Sequence, residues 1–293
     1  MESAQKDSLE QVEATVTIMV DNTVMELIPN SETVERISMP NRNFIAEHGF
    51  SALIETGDRK ILVDTGATGI ALEHNLRLLG LDFDDIDITF LSHGHSDHTG
   101  GIHRIKGRII AHPDAFYKRF IETKDGGMVD LSAPETDSRS QVIELHREPV
   151  KLARGVITTG EIPRIHEWEE LKVFRISRNG KLSKDRVFDD QGVIINTRKG
   201  LVVIAGCSHS GIVNTIEHAI KITGINDVYC VIGGFHLIGP GEAKIDRTIE
   251  EFRRLNIKKV IPLHCTGFEA IKRMSMSLSK EFEYGTAGCM IKF

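Results

Sequence analysis

The chain has 293 residues, 40% of them hydrophobic and 27% charged, with a formal net charge of -6. That length can bury a sizeable core, as one large domain or two halves of ordinary domain size. The acidic balance and the lack of a Lys/Arg cluster argue against a nucleic-acid partner, and no apolar run reaches the length of a membrane span.

Residues 1–14 read as a flexible, charged tail whose start lacks the apolar stretch of a signal peptide, which points to a cytoplasmic protein. Residues 15–20 form the first predicted strand. Residues 52–55 and 60–63 flank Thr56-Gly57-Asp58, a hairpin signal that ends on Asp64-Thr65-Gly66. Leu72, Leu76 and Leu79 recur at helical spacing and predict a helix over 68–80, stopped by Gly80. Ile86, Ile88, Phe90 and Leu91 mark a buried strand, and residues 108–111 another. Residues 113–150 are polar, without clear periodicity, and read as a partly helical insertion that shapes a pocket.

The second half repeats this logic. Residues 192–197 and 201–205 flank Arg198-Lys199-Gly200 as a second hairpin. A helix over 213–223, a strand over 227–232 and a helix over 242–255 follow, the last with Ile245, Ile249 and Phe252 on one face. A strand over 260–263 and a helix over 267–280 complete the pattern. Two such halves predict one α/β domain over residues 15–293, with two sheets face to face and helices outside.

The chemistry is concentrated in Ser92-His93-Gly94-His95-Ser96-Asp97-His98, directly after a buried strand. A loop at a strand's end can turn several side chains onto one point, which an alternating strand cannot. Neutral imidazole and carboxylate are ligands that zinc, and to a lesser extent iron or manganese, prefer. A single histidine after a strand is ordinarily a hydrogen-bonded structural residue. Here His209, His236 and His264 each repeat that placement, in Gly206-Cys207-Ser208-His209, Gly233-Gly234-Phe235-His236 and Pro262-Leu263-His264-Cys265. His264 is the strongest of the three and His209 next, while His236 stands between ligand, acid/base and structural roles. The supply exceeds one tetrahedral site, so two ions roughly 3.5–4 Å apart are the simplest expectation. His74, His146, His166 and His218 read as surface residues, His103 and His112 belong to no ligand-type motif, and His48 is either structural or pocket-lining. The four cysteines show no C-x-x-C spacing and read as reduced, mostly buried thiols, with Cys207 and Cys265 set apart by their histidine neighbours.

Taken together, these motifs resemble the metallo-β-lactamase fold superfamily. His93, His95, Asp97 and His98 meet its H-x-H-x-D-H pattern, Asp64 its early aspartate and His264 its late histidine. The resemblance implies a four-layer αβ/βα sandwich with metals at one edge of the sheets. Two positions depart from the pattern. The usual histidine ahead of the second hairpin is replaced by Val187-Phe188-Asp189-Asp190-Gln191-Gly192, and the usual bridging aspartate by Cys207. Either a Cys207 thiolate or the His209 imidazole completes the set, with His209 the favoured choice. Val20-Asp21-Asn22, Glu47-His48-Gly49-Phe50-Ser51, Gly160-Glu161-Ile162-Pro163-Arg164 and the His209 and His236 motifs are similar to one subfamily, the 7,8-dihydropterin-6-yl-methyl-4-(β-D-ribofuranosyl)aminobenzene 5′-phosphate synthase-like metal-dependent hydrolases.

That likeness implies two divalent ions, zinc first, with manganese, iron or magnesium as alternatives. His93, His95 and His209 would hold one, and Asp97, His98 and His264 the other, with Asp97 and His236 as catalytic groups. The implied substrate is a phosphorylated or diphosphorylated metabolite: a dihydropterin methyl diphosphate condensed with an aminobenzene ribofuranosyl phosphate. A phosphodiesterase- or lactonase-type hydrolase and a non-catalytic, metal-stabilised binding protein are the alternatives. Asn22, Glu47 and Phe50 are the expected substrate-binding residues, Phe50 stacking on a planar heterocycle while Asn22 or Glu47 reads its ring nitrogens. The competing reading makes Asn22 a turn residue and Phe50 core. Small-molecule substrates are the expected partners, with no nucleic acid and no membrane.

Overall fold

Both predicted hairpins form, and each feeds a run of parallel strands. The computed structural model describes residues 9–39, 43–136, 140–239 and 241–293. The first half runs β1 (Thr15–Val20), β2 (Val34–Arg36), β3 (Ser51–Glu55), β4 (Lys60–Val63), α1 (Ile70–Leu78), β5 (Ile88–Phe90), α2 (Ser96–Thr99) and β6 (Gly107–Ala111). Next come β7 (Lys118–Glu122), β8 (Met128–Asp130), β9 (Gln141–Leu145), β10 (Lys151–Ala153), β11 (Val156–Thr158), β12 (Phe174–Arg178) and β13 (Lys181–Lys184). The second half adds β14 (Gly192–Thr197), β15 (Gly200–Ala205), α3 (Ile212–Thr223), β16 (Val228–Gly234), α4 (Glu242–Arg254), β17 (Lys259–Leu263), α5 (Phe268–Ser277) and β18 (Cys289–Lys292).

An eight-stranded sheet has the order β2-β18-β1-β3-β4-β5-β6-β9, and a six-stranded sheet the order β10-β11-β14-β15-β16-β17. Period-2 alternation decides which side chain faces which layer. Ile54 and Ile61 of the first sheet join Val202, Ile204 and Ile232 of the second in one cluster between the sheets. Leu53 and Leu62, one residue out of phase, pack instead on Leu72 and Leu76 of α1. Val203 and Val231 face Ile216 of α3 and Ile249 and Phe252 of α4. The result is helix, sheet, sheet, helix. At about 1.5–3 kcal/mol for each fully buried large aliphatic side chain, these three clusters make the two sheets a stiff base.

Topology places the chemistry. β4 and β5 pair in parallel in one sheet, and β15, β16 and β17 in the other. Parallel strands end on the same side, so Asp64, His93, Cys207, His236 and His264, each just past the end of one of these strands, share one rim.

Two expectations need correction. Residues 9–14, expected within a flexible tail, are tied down: the Val12 N–H donates to the Asn196 carbonyl, Asn196 Nδ2 donates to the Leu9 carbonyl, and Ala14 is buried; the rest of that expectation, over residues 1–8, lies outside the described residues. The insertion over 113–150 is not partly helical apart from a 3-10 turn at Pro113–Phe116. It supplies β7, β8 and β9. β9 joins the large sheet beside β6, and β7 and β8 form a third sheet of order β13-β12-β7-β8. Its strands are largely solvent-facing, with β8 and β13 exposed at every residue, so they carry no apolar alternation for periodicity to detect. His112, without a ligand-type motif, is nevertheless fully buried, with Nε2 2.9 Å from Glu161 Oε1.

The third sheet is anchored by charge. Arg119 on β7 is buried and pairs with the buried carboxylates of Asp185 and Asp189, and Asp189 also accepts from the Gly94 N–H at 2.8 Å. Arg119→Ala would strand two carboxylates without their cation. The expected cost is about 3–5 kcal/mol in urea unfolding; a loss under about 1 kcal/mol would show that the anchor carries no weight.

Candidate metal centre

Imidazoles crowd at the rim where the two sheets meet. His93 Nε2 lies 3.1 Å from His95 Nδ1 and 3.2 Å from His209 Nε2. His98 Nε2 lies 3.2 Å from His264 Nε2 and 3.1 Å from Cys207 Sγ. Asp97 Oδ2 completes the second group, 3.3 Å from His264 Nε2 and 3.8 Å from His98 Nε2. The donor atoms of His93, His95 and His209 all lie within 4.8 Å of one another, as do those of Asp97, His98 and His264. Both trios foreseen from the sequence are therefore brought together.

Backbone shape aims these groups. Asp64, Ser208, His236 and His264 all have positive φ, at 57°, 56°, 47° and 46°. Such left-handed residues are uncommon outside glycine and cluster at functional sites. Gly206 is required for a different reason: a Cβ there would stand 2.1 Å from Ser92 Oγ and 2.8 Å from Asp64 Oδ2.

The Nδ1 atoms of three rings are held from behind. Asp64 Oδ2 lies 2.7 Å from His98 Nδ1 and accepts from the Ser92 hydroxyl at 2.6 Å; Asp64 Oδ1 accepts from the Ser92 N–H at 2.7 Å. Ser92 Oγ in turn lies 2.9 Å from His93 Nδ1. Asn22 Oδ1 lies 3.0 Å from His264 Nδ1, and Asp21 Oδ1 accepts from the His264 N–H at 2.8 Å. Each arrangement fixes the proton on Nδ1 and turns the Nε2 lone pair inward, the geometry that partners of metal-binding histidines impose.

The electrostatics suit a cation. Burial holds His93, His95 and His209 well below the ordinary imidazole pKa, helped by neighbouring imidazoles and, for His93 and His95, by Arg119. Their rings are neutral near neutral pH. His95 Nε2 and His209 Nδ1 are buried without a hydrogen-bond partner among the described residues. Burial alone would lower His98 too, but the charges of Asp97 and Asp64 lift it to about 9, so its Nε2 carries a proton that a bound cation would displace. Burial would raise the Asp97 carboxyl, yet His98, His264 and His48 outweigh it and keep the group well below its usual range. Facing lone pairs beside a carboxylate fit a divalent cation as a donor set.

Other foreseen residues lie elsewhere. Phe50 is fully buried in the inter-sheet core, its ring centroid 6.4 Å from that of His98, so it cannot stack on a substrate. Glu47 is engaged by the N–H and hydroxyl of Thr68. Asn22 holds His264 and accepts from the Gly49 N–H, and it also lines a cavity beside His264. His236 does reach the site, with its ring 4.4 Å from that of His209. Two further residues reach the site: Phe174, which carries no signal of its own in the sequence, and His48, which the sequence leaves between a structural and a pocket-lining role. Phe174, from β12 of the third sheet, packs its ring 5.1 Å from His95 and 4.9 Å from His209. His48, on an exposed loop, reaches Asp97 Oδ2 at 3.4 Å.

Residues 45–220 match the family described as the metallo-beta-lactamase superfamily. The chain belongs to that superfamily. A 7,8-dihydropterin-6-methyl-4-(beta-D-ribofuranosyl)-aminobenzene-5'-phosphate synthase of Methanocaldococcus jannaschii is 35% identical over 272 residues, covering 86% of this chain and 92% of that protein. An uncharacterized protein of the same organism is 37% identical over 256 residues, covering 85% of this chain and 95% of that one. A solved metal-dependent hydrolase of the beta-lactamase superfamily superposes with a TM-score of 0.78 at 25% identity, over 96% of this chain and 99% of the other. This metallo-beta-lactamase-fold protein is an enzyme. No helix among its described residues is long and apolar enough to cross a membrane.

Asp64 is the positioning group on which this enzyme's two histidine trios converge. Asp64→Asn should weaken divalent-metal affinity by about 10–100-fold, read by chelator competition alongside a melting curve. Affinity within twofold of wild type in a folded variant would mean that Asp64 serves the fold alone.

Proposed function

We propose that His93, His95 and His209 hold one divalent ion and that Asp97, His98 and His264 hold a second, with zinc the first candidate. The observation that carries this is the pairing of two three-residue donor groups at one rim, most of their atoms facing each other at 3.1–3.8 Å. The sequence posed Cys207 and His209 as alternatives; both reach the cluster, and Cys207 Sγ lies with His93 and His98 in a further compact group. The Cys207 thiolate is accordingly the additional ligand.

The reaction we assign is condensation of a dihydropterin methyl diphosphate with an aminobenzene ribofuranosyl phosphate. The support is the 35% identity to the named synthase over most of both chains. The amino nitrogen of the acceptor bonds to the pterin methylene, the C–O bond to diphosphate breaks with its electron pair leaving on oxygen, and the nitrogen loses a proton. Bound ions would supply positive charge to the departing diphosphate oxygens. Phe174 shields one flank of the histidines from water. His236, half-buried beside His209 with Nδ1 unpartnered among the described residues, is the side chain placed to take the amine proton. Hydrolysis of a phosphoester is the second reading, favoured by the solved metal-dependent hydrolase of the same superfamily. The fold alone does not choose between them.

Two measurements check this assignment. His93→Ala and Asp97→Ala should each lower the metal content from two ions per chain and abolish condensation, with the melting temperature largely kept because these ligands sit on loops at the rim. Unchanged stoichiometry in both variants overturns the ligand set, whereas turnover of bis-p-nitrophenyl phosphate without condensation selects the hydrolase. In cobalt-substituted protein, a sulfur-to-metal charge-transfer band should be present in wild type and lost in Cys207→Ser. Its absence from wild type removes Cys207 from the set.

A further inference from the structure

A cavity of about 490 Å³ opens beside the second donor trio, and His264 forms part of its wall. That volume falls within the range of small-molecule pockets, roughly 300–1,000 Å³. Its walls are mainly apolar and aromatic: Ile238 from the loop after β16, Phe268 and Ile271 of α5, and Phe282 and Tyr284 from the segment before β18. Phe268 and Ile238 are 74% and 60% exposed, which leaves uncovered apolar surface next to polar catalytic loops.

Two charged side chains besides His264 line the cavity, and they differ in their commitments. Asp21 is engaged, with one carboxylate oxygen accepting from the His264 N–H and the other from the N–H and hydroxyl of Thr23. Lys272 on α5 has no ion-pair partner for its ammonium among the described residues. The cavity thus combines aromatic walls, a proposed metal ligand and one uncompensated cation. An occupant that matches all three has a planar ring, a reacting atom near His264 and an anionic arm for Lys272.

We infer that this cavity is the acceptor subsite, taking the aryl group of an aryl glycoside phosphate, with Lys272 meeting the phosphate. The assignment rests on the condensation reading given above. It separates the two anions of that reaction: the diphosphate belongs to the histidine rim and the acceptor's monophosphate to Lys272. It also replaces Phe50, which is sealed in the core, with Phe268, Phe282 and Tyr284 as the aromatic surfaces open to a substrate.

The test is calorimetric titration of the full, metal-loaded chain with 4-(β-D-ribofuranosyl)aminobenzene 5′-phosphate and with the same compound lacking its phosphate. Wild type should bind the phosphorylated form about tenfold more tightly. Lys272→Gln should erase that difference while leaving the affinity for the dephosphorylated form within twofold. Ser275→Phe, which places bulk in the cavity from the next turn of α5, should weaken both ligands at least tenfold, and Ile271→Trp provides an independent filling variant should the first fail to fold. His93→Ala should lose metal and condensation yet keep acceptor affinity within a few-fold. No binding to wild type overturns the subsite, as does binding by Lys272→Gln and a folded filling variant that matches wild type for both ligands. Loss of acceptor binding in His93→Ala with the cavity variants unaffected moves the phosphate to the metal rim and overturns it too. If binding follows the cavity variants while no condensation is found, the subsite stands and the synthase assignment falls.

Discussion

One buried carboxylate organises the rim. Asp64 ends β4 in a left-handed conformation, and its two oxygens reach the Ser92 N–H, the Ser92 hydroxyl and His98 Nδ1. Through Ser92 it also steers His93, so one side chain from the first hairpin orients a histidine in each donor trio. The space it needs is kept open from the other sheet, where Gly206 offers no Cβ to strike Ser92 or Asp64. A buried carboxylate is costly unless its oxygens are satisfied, and this one is tied to backbone, hydroxyl and imidazole together. The two sheets must therefore pack in register for the histidines to be aimed.

The same economy runs through the outer supports. Asp189 lies just ahead of the second hairpin, and its carboxylate links the buried Arg119 of the third sheet to the Gly94 N–H between His93 and His95. With Phe174 packed on His95 and His209, the third sheet becomes a wall of the centre. Its strands are exposed on their outer faces, so this sheet depends on Arg119 and Phe174 for attachment more than on a core of its own.

Burial also divides labour among the imidazoles. His93, His95 and His209, sealed from water, are neutral, while His98 between Asp64 and Asp97 attracts positive charge. The centre therefore has a neutral, nitrogen-rich side toward Phe174 and a more anionic side toward His264 and the apolar cavity. Such asymmetry suits a substrate with a strongly charged leaving group at one end and a ring at the other.

The sequence by itself determined the two hairpins, the main parallel strands and the helices of both halves, because these rest on local periodicity and turn chemistry. It also determined the H-x-H-x-D-H cluster, since those ligands lie within six residues of one another. Only the tertiary structure decided what meets them. Asn22 is 242 residues from the His264 ring it holds, and His98 is 166 from its partner His264. Phe50 had a motif that favoured a pocket, yet its place on β3's approach to the inter-sheet core buries it. The third sheet escaped notice because β8 and β13 are exposed at every residue and carry no apolar alternation, and Phe174 because a lone aromatic gains its meaning from the imidazoles it touches. Local pattern fixes elements; packing of two sheets, closed by contacts between distant segments, decides which of their ends face each other.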